Sequence, residues 1–182
     1  MGIDMYVFVT LSDQEKSLII NLPIRVGIKI AKSDIEGDGD GATVKEIGAI
    51  KKALSRSIKC HKFSDVVKGV AISAAEKNIN NIDVGDLLGD ATKAYGVVKK
   101  HFSVAEVKAY KEMILEVGVC VARAYREEGD DWDDGVEESV IGAFSEKIVG
   151  FIKSITDREN TLDMNISPEE DTVLTDIALA MR

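Results

Sequence analysis

The segment DIEGDGDGATVKE, residues 34 to 46, has the chemistry of a cation-binding loop. Carboxylates at alternate positions, separated by glycines that let the backbone bend, supply the oxygen ligands that Ca²⁺ prefers. A standard EF-hand is not expected, because its last ligand position falls on Lys45 and Glu46 comes one residue late. A looser site for a divalent cation such as calcium, and a solvated turn whose acids favour the next helix dipole, both remain as interpretations. The candidate ligands are Asp34, Glu36, Asp38, Asp40 and Glu46.

A second acidic segment, residues 127 to 138, surrounds the single tryptophan of the chain with eight carboxylates. Such a density of like charge is typical of a solubilising loop, because the carboxylates repel one another. It also suits a binding loop in which Trp132 anchors a basic protein surface, since tryptophan is enriched at binding hot spots. A Trp132 side chain folded back onto its own domain is the third interpretation. The candidate partner-binding residues are Trp132, Asp130, Asp131, Asp133 and Asp134.

Two cysteines and two histidines provide the ligand types of a zinc site, but their spacing does not favour one. Adjacent Cys60 and His61 project about 100° apart on a helix, and no short-range ligand pair occurs. Neither His61 nor His101 has a nucleophile partner in sequence, and the glycines of residues 37 to 41 lack the Lys and Ser/Thr of a phosphate-binding loop. A binding or scaffold protein is therefore favoured over an enzyme. If the protein is an enzyme, the sequence does not indicate which reaction it catalyses.

The charge of the chain bears on its partners. A formal net charge of -9 and a pI near 4.8 repel phosphate backbones and anionic lipids, so neither nucleic acid nor a membrane is an expected partner. Lysines 45, 51, 52, 59 and 62 form a local basic stretch, but at mixed helical spacings and with no aromatic platform beside them. Two distant cysteines fit a reducing cytosol, so a cytoplasmic protein is expected, with a homo-oligomer left open.

Composition and helix-start signals together predict an all-α protein. The chain of 182 residues has two prolines and 5% aromatic residues, and its length suits a single domain. Capping boxes at Ser12/Glu15, Thr43/Glu46, Ser103/Glu106 and Ser167/Glu170 mark helix starts, with Asp83 and Asp134 as plainer caps. Residues 5 to 11 are expected to form a short strand or an extended arm. The predicted helices are 13–33 with a break or kink at Pro23, 44–60, 65–78, 84–100, 104–127, 136–156 and 168–181.

An internal repeat organises these helices. With a shift of 91 residues, LSDQEKSLIINLPIRVGIKIAKSD lies over FSVAEVKAYKEMILEVGVCVARAY, and both copies then enter an acidic, glycine-containing loop. The paired glycines Gly27/Gly118 and Gly48/Gly142 predict close helix crossings, because glycine inside a helix is otherwise unfavourable. Chance similarity of amphipathic helices is the alternative. We therefore predict a single-domain bundle of seven or eight helices, with repeat units near 11–60 and 102–156, a helical insert at 61–101 and a C-terminal helix at 167–182.

The stretch VGIKIAKSDIEGDGDGATVKEIGAIKKAL resembles the helix, acidic loop and helix of the tellurite-resistance TerB-like family, with Ala31, Asp34 and Glu46 at the family's positions. ISPEEDTVLTDIALAM resembles that family's terminal helix, and together the two segments cover a third to a half of the chain. Ile35 stands where the family has glycine, and Tyr125 stands in the second copy where Asp34 stands in the first. The resemblance implies a compact all-α fold with an acidic surface that takes divalent cations or partners, and no established enzymatic activity.

Overall fold

A computed structural model describes residues 7–33, 44–124 and 166–182. All regular structure in these three ranges is helical, which confirms the predicted all-α class for them. The predicted helix 136–156 lies outside the described residues. The helices are α1 Asp13–Ser33, α2 Val44–Cys60, α3 Asp65–Ala75, a 3-10 turn Ile79–Asn81, α4 Leu87–His101, α5 Val104–Ala124 and α6 Pro168–Ala180.

Two of the predicted capping boxes form as expected. At the start of α1, Glu15 accepts from the Ser12 backbone N–H at 2.8 Å, and the Glu15 N–H donates to the Ser12 hydroxyl at 3.3 Å. At the start of α6 the same reciprocal pair joins Ser167 and Glu170, at 2.7 and 3.2 Å. Each box satisfies two backbone donors that a helix start would otherwise leave without partners. Thr43 lies outside the described residues.

Two boundary predictions are wrong for local reasons. Helix α4 begins at Leu87, because the Asp86 carboxylate caps it by accepting from the Gly89 N–H at 3.1 Å. Asp83, the predicted cap, instead accepts from the Gly85 N–H at 3.3 Å in a turn where Gly85 has a φ of 51°. Glycine adopts this left-handed conformation without the Cβ clash of other residues. Helix α3 also ends early, at Ala75.

Residues 7 to 11 form a turn before α1 rather than the predicted strand or arm, whose first two residues, 5 and 6, lie outside the described residues. Within residues 7 to 11, the Leu11 N–H donates to the Phe8 carbonyl at 3.1 Å. Both side chains are buried, and the Phe8 ring lies so near Gly69 of α3 that a Cβ there would be 2.9 Å from it. The apolar residues near the start of the chain are therefore used to cover α3.

Helices α1 and α5 form the centre of the bundle, and each packs against all the other described helices. They run in the same direction, because Ile19 meets Tyr110 in the first half of each helix and Gly27 meets Val121 further along both. These are the two helices that the 91-residue shift aligns. Their long buried stripes make them the core onto which the outer helices pack.

Pro23 lies within α1, yet the helix continues through it to Ser33, so the predicted break is absent. Proline has no N–H, which leaves the carbonyl four residues earlier, that of Ile19, without its helical partner. The hydroxyl of Tyr110, whose side chain is fully buried, donates to this carbonyl at 3.0 Å. A side chain from α5 thus replaces the hydrogen bond that Pro23 removes from α1.

The predicted close approach is present at two of the paired glycines. A Cβ on Gly27 would lie 2.6 Å from the Ile50 side chain of α2 and 3.5 Å from Val121 of α5. A Cβ on Gly118 would lie 2.5 Å from Leu174 of α6. A methyl group at either position would therefore force the neighbouring Ile50 or Leu174 side chain to move.

At Gly48 the described helices show no such crossing, since a Cβ there would meet no described atom within 4 Å. Its position on α2 is therefore not explained by a close crossing within the described chain. Gly142, its predicted counterpart, lies outside the described residues.

Polar side chains of α5 close the ends of two other helices. The Glu106 carboxylate was predicted to cap its own helix, but it contacts the Ser64 hydroxyl and accepts from the backbone N–H groups of Asp65 at 3.1 Å and Val66 at 3.4 Å. A carboxylate is favourable there because a helix start carries partial positive charge. Lys111 stabilises the opposite kind of helix end, donating to the carbonyl of Ala178 in the last turn of α6 and to that of Met181, its C-cap residue, each at 3.1 Å.

We expect Tyr110→Phe to lower the free energy of unfolding by about 1 to 3 kcal/mol in urea denaturation, because it leaves the buried Ile19 carbonyl without a donor. In a Pro23→Ala background the restored N–H supplies that carbonyl with its helical partner. Tyr110→Phe should then lower the free energy of unfolding clearly less. Equal costs in the two backgrounds would show that the hydroxyl does not act through this carbonyl.

We expect Gly27→Ala and Gly118→Ala each to destabilise the fold by about 1 to 3 kcal/mol, since overpacking outweighs the better helix propensity of alanine. The matched control is Gly96→Ala in α4, where a Cβ would meet no described atom within 4 Å. That variant should gain up to about 1 kcal/mol in thermal denaturation. Stabilisation at Gly27 as well would contradict the close crossing.

Candidate functional site

The sequence-predicted cation ligands fall almost entirely outside the described residues. Asp34, Glu36, Asp38 and Asp40 lie in the range 34–43, between the end of α1 at Ser33 and the start of α2 at Val44. Glu46 is the third residue of α2, and its side chain is outside the description. The predicted partner-binding residues, Trp132, Asp130, Asp131, Asp133 and Asp134, lie in the range 125–165, which is likewise outside it.

The described chain contains a buried polar cluster between α2 and α5 that sequence reasoning missed. Glu116 is 3% exposed, and its Oε2 accepts a hydrogen bond from the Ser57 hydroxyl at 3.1 Å. The His61 Nε2 lies 3.4 Å from the same carboxylate oxygen. The available signal was Glu116 itself, a lone charge in the apolar run of α5, because a charge in such a position needs a partner. Its partners, 55 to 59 positions earlier in the chain, carry no such signal.

Both cysteines lie near this carboxylate, and both are held in the thiol form. Burial, followed by the charge of Glu116, raises the pKa of Cys60 to about 11. The same two causes raise the pKa of Cys120 to about 12. Since the thiolate is the nucleophile and the metal ligand, neither side chain is activated at neutral pH.

The arrangement of the cluster does not activate a nucleophile. In a serine triad the hydroxyl gives its proton to a histidine that a carboxylate orients, whereas the Ser57 hydroxyl bonds directly to the Glu116 carboxylate. Among the described residues, no group of three or more His, Cys, Asp or Glu side chains is placed to hold a metal ion. The geometry of the cluster is suited to holding a buried charge and joining α2 to α5.

A second polar contact joins α1 to α4 at the position that the 91-residue shift aligns with Glu116. The Arg25 guanidinium lies 2.5 Å from the Asp90 carboxylate and donates to the Val84 carbonyl at 2.9 Å. The hydrogen bond from Arg25 holds the pKa of Asp90 below its ordinary value. Each central helix therefore uses one charged residue in its apolar run to hold a neighbouring element.

Helix α2 presents a basic surface, which corrects the interpretation of its lysines as irregularly spaced. Lys51, Lys52 and Lys59 are exposed and lie within about 100° of arc around the helix. Lys62, in the turn that follows, is exposed as well. Beside it Phe63 is 91% exposed, with the Lys62 Nζ 5.4 Å from its ring centre. We call Lys51, Lys52, Lys59 and Lys62 the lysine face.

Charge is unevenly divided along the chain. The described ranges hold 19 Lys and Arg against 15 Asp and Glu, a net charge of +4. The remaining residues hold 4 against 17, a net charge of -13. The acidity of the whole protein therefore arises outside the described helices, which are themselves slightly basic.

No described helix combines the length and the apolar character needed to cross a membrane. Comparisons of the chain with protein-family models, with curated proteins and with solved structures gave no match.

We expect Cys60 to react with an aromatic disulfide reagent at pH 8 about 100-fold more slowly in the folded protein than in urea, because its pKa is raised from 9.0 to about 11. A Cys120→Ser variant isolates this thiol, and the absorbance of the released reagent gives the rate. Glu116→Gln should accelerate the reaction, since it removes a charge that opposes the thiolate. Equal rates in the folded and unfolded chain would contradict the burial of this thiol.

Proposed function

We propose that the protein is a non-enzymatic helical binding or scaffold protein whose acidic loop, residues 34 to 46, takes a divalent cation such as calcium. The observation that carries this proposal is the close crossing of the two helices that bracket the loop. A Cβ on Gly27 of α1 would lie 2.6 Å from Ile50 of α2, so the packing of these helices limits where the ends of the loop can lie. A bound cation would join two packed helices and offset the mutual repulsion of the carboxylates.

The proposal includes an internal duplication, supported by reciprocal contacts between α1 and α5. Under the 91-residue shift, Gly27 corresponds to Gly118 and Ile30 to Val121. A Cβ on Gly27 would be 3.5 Å from Val121, and a Cβ on Gly118 would be 3.7 Å from Ile30. Such exchange of equivalent partners is the pattern of a two-fold related pair. The Ile19–Tyr110 hydrogen bond joins positions that correspond to each other.

We further propose that the helix, acidic loop and helix unit is of the TerB-like type, in a cytoplasmic bundle of seven or eight helices that includes 136–156. The uninterrupted α1 and the start of α2 at Val44 agree with the bounds expected for that unit. The departure at Ile35 lies within the loop itself. The resemblance of the unit to the family therefore does not establish cation binding by the loop, which is tested separately.

An adaptor role for the segment around Trp132 is the second candidate, favoured by the division of charge. Residues 125–165 carry 12 Asp and Glu against 4 Lys and Arg, whereas the described helices are net positive. A local excess of negative charge steers a segment toward a basic partner surface even when the rest of the protein is not acidic. Trp132 would supply the apolar contact of that interface.

We expect calcium to bind the loop with a dissociation constant of roughly 10⁻⁴ to 10⁻³ M, because several glycines must be ordered on binding. At ten times that constant, binding adds about 1.4 kcal/mol to the free energy of unfolding. This should raise the thermal midpoint by about 3 to 6 °C. The measurement is a calcium titration of the midpoint in the parent and in Asp38→Asn/Asp40→Asn, which should lose the shift.

The matched control is Glu76→Gln/Asp176→Asn, which removes two exposed acids far from the loop in sequence and should keep the parent's response. A sodium chloride series of equal ionic strength separates ion binding from screening. No shift in the parent at 10 mM calcium beyond that series, about ten times the weakest expected dissociation constant, would reject the cation proposal.

A further inference from the structure

The lysine face carries positive charge that the described chain does not neutralise. Some other lysines pair with an acid on their own helix, as Lys93 does with Asp90 at 3.4 Å and Lys108 with Glu112 at 3.7 Å. Within the described ranges, no member of the lysine face forms a salt bridge, although α2 is otherwise well packed. On the opposite side of that helix, Ile50 and Leu54 are fully buried.

We propose that the lysine face, together with Phe63, is a docking surface for a short acidic segment of a partner polypeptide. Lys51 and Lys59 are separated by about 12 Å along the helix axis at 1.5 Å per residue. Lys62 follows in the next turn. This length matches a few residues of an extended or helical peptide. The ammonium groups supply charge complementarity, which governs the choice and orientation of a partner more than raw affinity does.

Phe63 provides an apolar anchor at one end of the lysine face. A phenylalanine ring that is 91% exposed leaves a large apolar surface in water, which burial against a partner would remove. Val104, at the first position of α5, is 87% exposed. Glu106 in the same turn contacts Ser64, the residue after Phe63, so both apolar side chains lie at the same end of the bundle. The partner segment is therefore acidic and carries a large apolar residue.

A short peptide fits these observations better than a nucleic acid or a lipid surface. At physiological salt, charges interact over about 8 Å, so a short segment on the lysine face experiences mainly the local positive charge. A duplex or a membrane extends far beyond that distance and meets the field of a molecule whose net charge is -9. The exposed cations are lysines, without the planar arginine fork that suits phosphates, and Phe63 is a single ring rather than a stacking platform.

The test measures binding of a fluorescein-labelled peptide, REEGDDWDDGVEE, by anisotropy with the full chain in chelator and low salt. This sequence, residues 126 to 138 of the chain itself, has the required acids and a tryptophan. Replacing all four lysines of the lysine face with Gln should weaken binding about 10- to 50-fold, since each exposed ion pair contributes modestly. Raising the salt should weaken binding by the parent further.

The matched control replaces four other exposed lysines, Lys77, Lys93, Lys100 and Lys108, with Gln and changes the net charge equally. It should bind within about two-fold of the parent, because those lysines lie off the lysine face. Phe63→Ala should weaken binding several-fold, whereas Val9→Ala, at another exposed apolar residue, should leave it unchanged. Circular dichroism should show that all variants keep their helix content.

The chain itself contains the sequence of the peptide, so the titration is repeated in Asp130→Asn/Asp131→Asn/Asp133→Asn/Asp134→Asn to remove any competition from it. Lysine-dependent binding in either background supports the proposal. Binding in neither, or equal loss in the control variant, overturns it. Tighter lysine-dependent binding to phosphatidylserine vesicles or to duplex DNA than to the peptide also overturns it. Since chelator is present throughout, the outcome is independent of calcium binding by the loop.

Discussion

The packing of α1 against α5 is the constraint on which the rest of the described structure depends. Each of these helices contacts every other described helix, so the outer helices are positioned by their fit to this pair. Gly27 and Gly118 lack side chains where α2 and α6 approach this pair, so Ile50 and Leu174 come within 2.6 and 2.5 Å of where a Cβ would lie. The Ile19 carbonyl of α1 keeps a hydrogen-bond donor, because the Tyr110 hydroxyl replaces the N–H that Pro23 lacks. A larger residue at either glycine would act on several helix contacts together.

The charged residues of the central helices hold other elements in place rather than converge on a reacting atom. Glu106 and Lys111 close the ends of α3 and α6, where partial charges of the helix termini favour them. Glu116 joins α5 to α2, and Arg25 joins α1 to α4. Removing one partner of a buried charge is strongly unfavourable, so these contacts favour the observed arrangement of the helices.

Binding in this protein is proposed through charges of opposite sign in different parts of the chain. The acidic loop 34–46 suits a cation because its carboxylates are dense and its glycines allow them to turn inward. The lysine face suits an anionic peptide because three of its lysines share one side of α2, the fourth follows in the next turn, and none forms a salt bridge within the described chain. The side chains of the lysine face are exposed, so they can vary without disturbing the packed core.

The sequence by itself determined the features that depend on residues three or four positions apart. Apolar periodicity and caps placed α1 and α2 at their observed bounds, and the boxes at Ser12 and Ser167 formed as predicted. Only the tertiary structure decided which distant group each polar side chain meets. The Glu106 carboxylate accepts from the start of α3 rather than from its own helix, and the Glu116 carboxylate contacts Ser57 and His61. Helix periodicity and capping depend only on spacing along the chain, whereas these distant partners are set by how the helices pack.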